Sequence, residues 1–142
     1  MASDNLNELS TLKAGDALTP MKLPPISRTS LALYAGASGD HNPMHIDIDF
    51  ARAAGLDDVF AHGMLSAGYV GRLVTDWAGA DRLRSLTLRF IGITNVHDVP
   101  HLSGKVAERF VDGGEMRLRI DVECANQNGE VKVSGQAVVA LG

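Results

Sequence analysis

A single cysteine, Cys124, in 142 residues excludes any disulfide within the chain. Its place among alternating apolar residues reads as a small buried hydrophobe rather than a nucleophile, and such usage suits a reducing compartment. Positive charge is also short. Lys and Arg number 13 against 17 Asp and Glu, for a formal net charge of −4, and no basic stripe runs along any segment. Nucleic acid, which calls for a strongly basic face, is not expected as a partner. Nowhere do about 18 apolar residues follow one another, so no membrane-spanning helix is expected. The opening residues MASDNLNELSTLKAGD lack a basic stretch followed by an apolar run, which sets the expectation of a cytoplasmic chain. The length suits one domain around one core.

The unusual residue choices concentrate between positions 34 and 71, in YAGASGDHNPMHIDIDFARAAGLDDVFAHGMLSAGYVG. Pro43 lies between Asp40 and His45, so no regular helix or strand joins them. Proline fixes its own φ and pushes Asn42 toward an extended conformation, and Asp and Asn side chains bond nearby backbone N–H groups. A carboxylate and an imidazole are thus presented on one stiff loop supported by Asn42 and Pro43. On residue type alone Asp40 serves as readily as a turn former, and His45 as a satisfied, partly buried histidine. A metal site built from His41, His45, His62, Asp40 and Asp47 is not expected: His41 and His45 would share a face only on a continuous helix, which Pro43 opposes. Further on, His62-Gly63-Met64 opens an apolar helix with no Ser, Thr, Asp or Asn immediately before it to occupy the free N–H groups. Such donors suit a developing negative oxygen. A proton-moving pair with an oxyanion site is the minimum equipment for chemistry beside a carbonyl.

Around this stretch the chain reads as a single α+β domain. Residues 1–13 are expected to form a loose N-terminal arm and residues 14–142 the domain. A short strand is predicted over Ala17–Leu23, stopped by Pro24-Pro25. Ser27 caps a helix over 28–37 that Gly39 ends, and Asp47 caps a second from about Ile48 to Ala54 with Gly55 as its stop. The helix from Gly63 to about Ala78 is apolar on most of its circumference, with a narrow polar strip of Arg72, Thr75 and Asp76, and so should be buried nearly all round. After it the pattern changes to period two over residues 86–90, 102–111, 116–124 and 131–139, with hairpin turns at Asp112-Gly113-Gly114 and Asn128-Gly129. Strands of about ten residues reach on the order of 33 Å against about 24 Å for the sixteen-residue helix, enough for a long antiparallel sheet to wrap it.

The run YAGASGDHNPMHID followed by FAHGMLSAG resembles the signature of MaoC-like hot-dog proteins, which include (R)-specific enoyl-CoA hydratases and 3-hydroxyacyl thioester dehydratases. The resemblance extends from about residue 14 to the end and implies a hot-dog fold. It also implies reversible hydration of a trans-2-enoyl thioester, a step in fatty-acid metabolism, with no cofactor or metal beyond the coenzyme A or acyl-carrier-protein thioester. In the family the Asp and His of the first element hold the catalytic water, here Asp40 and His45. The helix-opening Gly, here Gly63, supplies the N–H for the thioester oxygen. One departure stands out: members commonly carry a Pro-Val and a later Gly-Asp after the Arg-Phe of the first long strand, whereas this chain reads Arg89-Phe90-Ile91-Gly92-Ile93-Thr94-Asn95-Val96-His97-Asp98. Only Asp98 of the Gly-Asp remains, in a loop near the family's substrate site.

Three further expectations follow. If the carbonyl sits at Gly63, the acyl chain should run beside the helix past Met64, Gly71 and Val74. A single sheet round one helix leaves strand edges, so a homodimer or higher oligomer is expected. The segments 34–48 and 63–79 look particularly like the catalytic subunit of mycobacterial dehydratases acting on carrier-protein substrates, so a paired hot-dog subunit is the other possible partner. A thioesterase of the same fold would not carry both elements, and a subunit kept only for binding or assembly has no physical need of a rigid acid–base pair.

Overall fold

The computed structural model describes residues 9–142. The side chain of Ser27 accepts the N–H of Ser30 at 3.0 Å and opens α1 (Arg28–Ser38), which Gly39 ends in the left-handed conformation at φ 77°. A single 3-10 turn (Pro43–His45) leads to α2 (Ile48–Ala53), where Asp47 accepts the N–H groups of Asp49 and Phe50. Then comes α3 (Gly63–Ala78). Five strands complete the domain: β1 (Met21–Lys22), β2 (Leu83–Phe90), β3 (His101–Asp112), β4 (Glu115–Ala125) and β5 (Val131–Ala140). They form one antiparallel sheet in the order β1-β3-β4-β5-β2. Gly113 and Gly114 close the β3–β4 hairpin at φ 59° and 78°, the geometry a two-residue loop needs.

The alternation in β4 does what period two requires. Leu118, Ile120, Val122 and Cys124 are buried against α3, from which Val70, Leu73, Val74 and Ala78 descend into the same core. Helix α3 touches β2, β3, β4 and β5. Four strands at about 4.8 Å spacing can all reach a helix about 10 Å across only if the sheet coils round it. The bend falls on a row of small residues, since Gly104 of β3 and Gly135 of β5 both stand in register with Val122. A Cβ at Gly135 would overlap the carbonyl oxygen of Thr87 in β2, so only glycine permits that approach.

A second, smaller core of Ile26, Leu31, Ala51, Val59, Ala61 and Val96 binds α1 and α2 to the segment before α3, and Tyr69 packs against both cores. It holds the loop between α1 and α2 over the start of α3.

Three expectations need correction. Strand β1 is only two residues, with an isolated bridge from Ala17 to Lys105, because Pro20 has no N–H to continue the ladder. Of the expected loose arm, residues 1–8 lie outside the described residues, but residues 9–11 are helical and Leu9 is fully buried in the main core. Arg109 donates to the carbonyl of Ser10 at 2.6 Å, tying this segment to β3. Finally, α3 is not buried all round: Met64 and Gly68 are exposed and extend the Arg72–Asp76 strip at four-residue intervals to the N-terminus of the helix. No helix among the described residues is long and apolar enough to cross a membrane.

Candidate active site

Helix α1 delivers Asp40 one residue beyond its glycine stop, and the loop that follows is held by its own side chains. Asp40 N–H donates to the Ser38 hydroxyl (3.2 Å), Asn42 N–H to Asp40 Oδ1 (3.2 Å) and Met44 N–H to Asn42 Oδ1 (3.1 Å). Pro43 occupies the first position of the 3-10 turn that Asn42 caps. Asn42 and Pro43 therefore support the loop as their residue types predict. Asp40 itself is exposed, while His45 is buried, with 9 % of its surface exposed.

The tautomer of His45 follows from its partner. Its Nδ1 lies 2.7 Å from the carbonyl oxygen of Phe60, which can only accept, so Nδ1 carries a proton, and in the neutral ring Nε2 is the acceptor. The Phe60 ring meets the imidazole edge-on at 4.8 Å between centroids. His62 obeys the same rule in mirror image. Its Nε2 stands 3.1 Å from the Asp40 carbonyl oxygen and donates to it, leaving Nδ1 as a buried acceptor with no partner among the described residues. The two imidazoles stack with centroids 4.0 Å apart at 27°, and Tyr34 packs edge-on against His62 at 4.7 Å. Burial, chiefly, pushes the His62 pKa below its ordinary value, with His45 opposing its charge further.

A carboxylate oxygen of Asp40 and one ring nitrogen each of His45 and His62 lie within 4.8 Å of one another. One water, at about 2.8 Å from each of two acceptors, spans such a gap. A metal ion fits the same atoms poorly. Imidazoles bound to one ion radiate from it, whereas these two are stacked.

Beside this cluster α3 begins at Gly63 with no side-chain cap; Leu65 N–H donates to the His62 carbonyl at 3.1 Å, and among the described residues the N–H groups of Gly63 and Met64 are left for an incoming acceptor. The Phe90 ring lies 3.2 Å from where a Cβ at Gly63 would stand, so a larger residue there would displace it. Gly63, Phe60, Ser66, Phe90, Ile93 and Thr94 line a pocket of about 180 Å³. Through its neighbour His62, Gly63 is thus brought close to the loop that carries Asp40 and His45.

The three residues expected along the acyl path lie in different surroundings. Val74 is fully buried in the main core, a Cβ at Gly71 would stand 3.7 Å from a methyl group of Leu86, and Met64 is 63 % exposed. Val74 thus packs in the main core, while Gly71 is half-buried beside β2. The walls at Gly63 come from Phe60, from the end of β2 and from the loop after it.

That loop is the one whose sequence departs from the family pattern. His97 adopts φ 76° where the family pattern has glycine, and it is the one non-glycine residue at positive φ among those described. Asp98 is buried and structural: it accepts the N–H of Asn95 at 2.9 Å, and its carbonyl receives Ile26 N–H at 2.9 Å. His62 is the residue whose part in the site the sequence reading missed. Its sequence signals were its place just before an uncapped helix and within the FAHGMLSAG run.

Comparison with known proteins points the same way. Residues 12–126 match the family described as MaoC like domain. The chain is 31% identical over 109 residues to the fatty acid synthase subunit beta of Saccharomyces cerevisiae, a match covering 75% of this chain but 5% of that protein. Among solved structures, the unliganded R-hydratase PhaJ1 from Pseudomonas aeruginosa superposes with a TM-score of 0.82 at 27% identity, covering 93% of this chain and 84% of that one. A chain of the ChsH1-ChsH2 complex from Mycobacterium tuberculosis superposes with a TM-score of 0.77 at 30% identity, over 92% and 98% of the two chains.

Proposed function

The chain belongs to the MaoC-like dehydratase family and has its hot-dog fold, and from that premise we propose that it hydrates trans-2-enoyl thioesters reversibly to (R)-3-hydroxyacyl thioesters. The observation that carries this is the gap of at most 4.8 Å between the Asp40 carboxylate and a His45 ring nitrogen, beside the free N–H of Gly63. Both Asp40 and neutral His45 are acceptors, so together they bind the two hydrogens of one water and leave its oxygen lone pair directed outward. Attack at C3 forms the C–O bond and drives the double-bond electrons toward the thioester oxygen. There Gly63 N–H and the positive end of α3 stabilise the charge, a contribution of about 3 kcal/mol for one well-aimed donor. The proton taken from water by the acid–base pair returns to C2 on the same face, so atoms and electrons balance without a cofactor. The (R) outcome is taken from the similarity to the R-hydratase. With one buried thiol, the chain suits a reducing cytoplasm.

The carrier lies beyond the sulfur and takes no part in the bond changes, so coenzyme A and acyl-carrier-protein thioesters serve the same site. Crotonyl-CoA and crotonyl-acyl-carrier protein, mixed separately with the purified protein, should lose the conjugated enoyl absorbance with at least one carrier, and chiral analysis should return the (R) alcohol. Formation of the (S) product, or release of free thiol without hydration, would sink the proposal.

A further inference from the structure

We propose that His62 is a positioning residue, whose Nε2–H holds the Asp40 carbonyl and so moors the catalytic carboxylate to the first turn of α3; this rests on the hydratase reading above. The loop is tied down at two ends. At the His45 end, the imidazole donates to the Phe60 carbonyl and Phe60 N–H donates back to Met44 O. At the Asp40 end, the other hydrogen bonds stay within residues 38–42. Among the described residues, the bond from His62, 22 positions along the chain, is the one that links Asp40 to anything beyond its own loop.

His62 is also adjacent to Gly63. One residue therefore fixes the distance from the carboxylate loop to the oxyanion donor, while its ring face sets the plane on which His45 lies. A merely space-filling residue would not be chosen here, since the imidazole is 1 % exposed and leaves Nδ1 buried without a partner. An apolar ring fills the same volume without that cost. What an apolar ring lacks is the donor to Asp40. The titratable groups that face the imidazole are Asp40 and His45 from the loop and Tyr34 from α1. None offers an alternative donor to the Asp40 carbonyl in this arrangement.

The test compares the parent protein with His62→Phe, which keeps a planar ring, and His62→Gln, whose amide nitrogen extends about as far as Nε2 and keeps a donor. A positioning role predicts a fall in kcat of about 100-fold for His62→Phe on crotonyl-CoA with KM within about threefold, since a misplaced catalytic group costs turnover more than binding. His62→Gln should recover to within about tenfold of the parent. A packing role predicts the reverse order, and His62→Phe keeping more than a tenth of the parent kcat overturns the inference. Two measurements do not depend on turnover. In the parent, ¹⁵N spectra at pH 7 should find His62 as the neutral Nε2–H tautomer, and the Nδ1–H form overturns the inference even if neither variant folds. The Asp40 carbonyl ¹³C shift should move in His62→Phe and return in His62→Gln. A parent protein inactive on every enoyl thioester would refute the hydratase reading, and these spectra would still decide the role of His62.

Discussion

At the scale of single residues, Asp40 and His45, the pair proposed to hold the water, differ in environment. Asp40 is exposed and its side chain accepts only a local N–H, so Asp40→Asn should lower kcat by three orders of magnitude or more while leaving the melting temperature within about 2 °C of the parent. His45 also satisfies the Phe60 carbonyl, so His45→Ala should lose activity and about 1–3 kcal/mol of stability together. Kinetics and calorimetry on the two variants check this asymmetry. His62 imposes a pH dependence of its own. Its folded pKa lies below the ordinary 6.5, mainly through burial, so the unfolded chain binds the extra proton first as pH falls. Stability from this group is complete above about pH 6.5 and declines as pH drops from there through the folded pKa. Melting temperatures measured from pH 7 to pH 5 should fall, and the slope should be shallower in His62→Gln.

At the scale of elements, the sheet depends on where two backbones are allowed to meet. Gly135→Ala places a methyl group onto the Thr87 carbonyl and should open the β2–β5 pairing, at a cost on the order of 3 kcal/mol and roughly 10 °C in melting temperature. Because β2 ends in Phe90 at the Gly63 pocket, activity should fall with stability. Gly71 offers a contrast on α3. Its neighbour is Leu86, so Gly71→Leu overpacks the space between helix and β2. Stability should drop by about 1–3 kcal/mol and activity on crotonyl-CoA and octenoyl-CoA should fall in parallel. Selective loss of the longer substrate would restore Gly71 to the acyl path.

At the scale of the whole molecule, β2 pairs with β5 on one side only, and its other edge is open among the described residues. Phe90, Ile91 and Ile93, at its end, are each at least half exposed. An open edge beside exposed apolar side chains is a surface that proteins normally cover. We propose that a second copy of the chain, or a related hot-dog subunit, adds its own sheet there. Light scattering on the purified protein should give at least a dimer, and Leu88→Pro should lower the assembly state along with activity. A fully active monomer at nanomolar concentration would contradict the proposal.

Much of this was legible from residue order, because local rules are short-ranged. Ser27, Gly39 and Asp47 bound their helices through bonds to residues at most four positions away. The alternation of β4 reports burial because successive side chains of a strand face opposite ways. The Asp40 loop is rigid for equally local reasons, which is why Asp40, His45 and Gly63 stood out before any fold was known. What the sequence could not decide is whatever depends on a partner far along the chain. The short reach of β1, the burial of Leu9, the packing of Val74 and Gly71 and the turning of Phe90 toward the pocket all depend on which strand lies opposite. The pairing of His62 with the Asp40 carbonyl belongs there too: a histidine before an uncapped helix has no local acceptor, and only the fold carries the loop back over it.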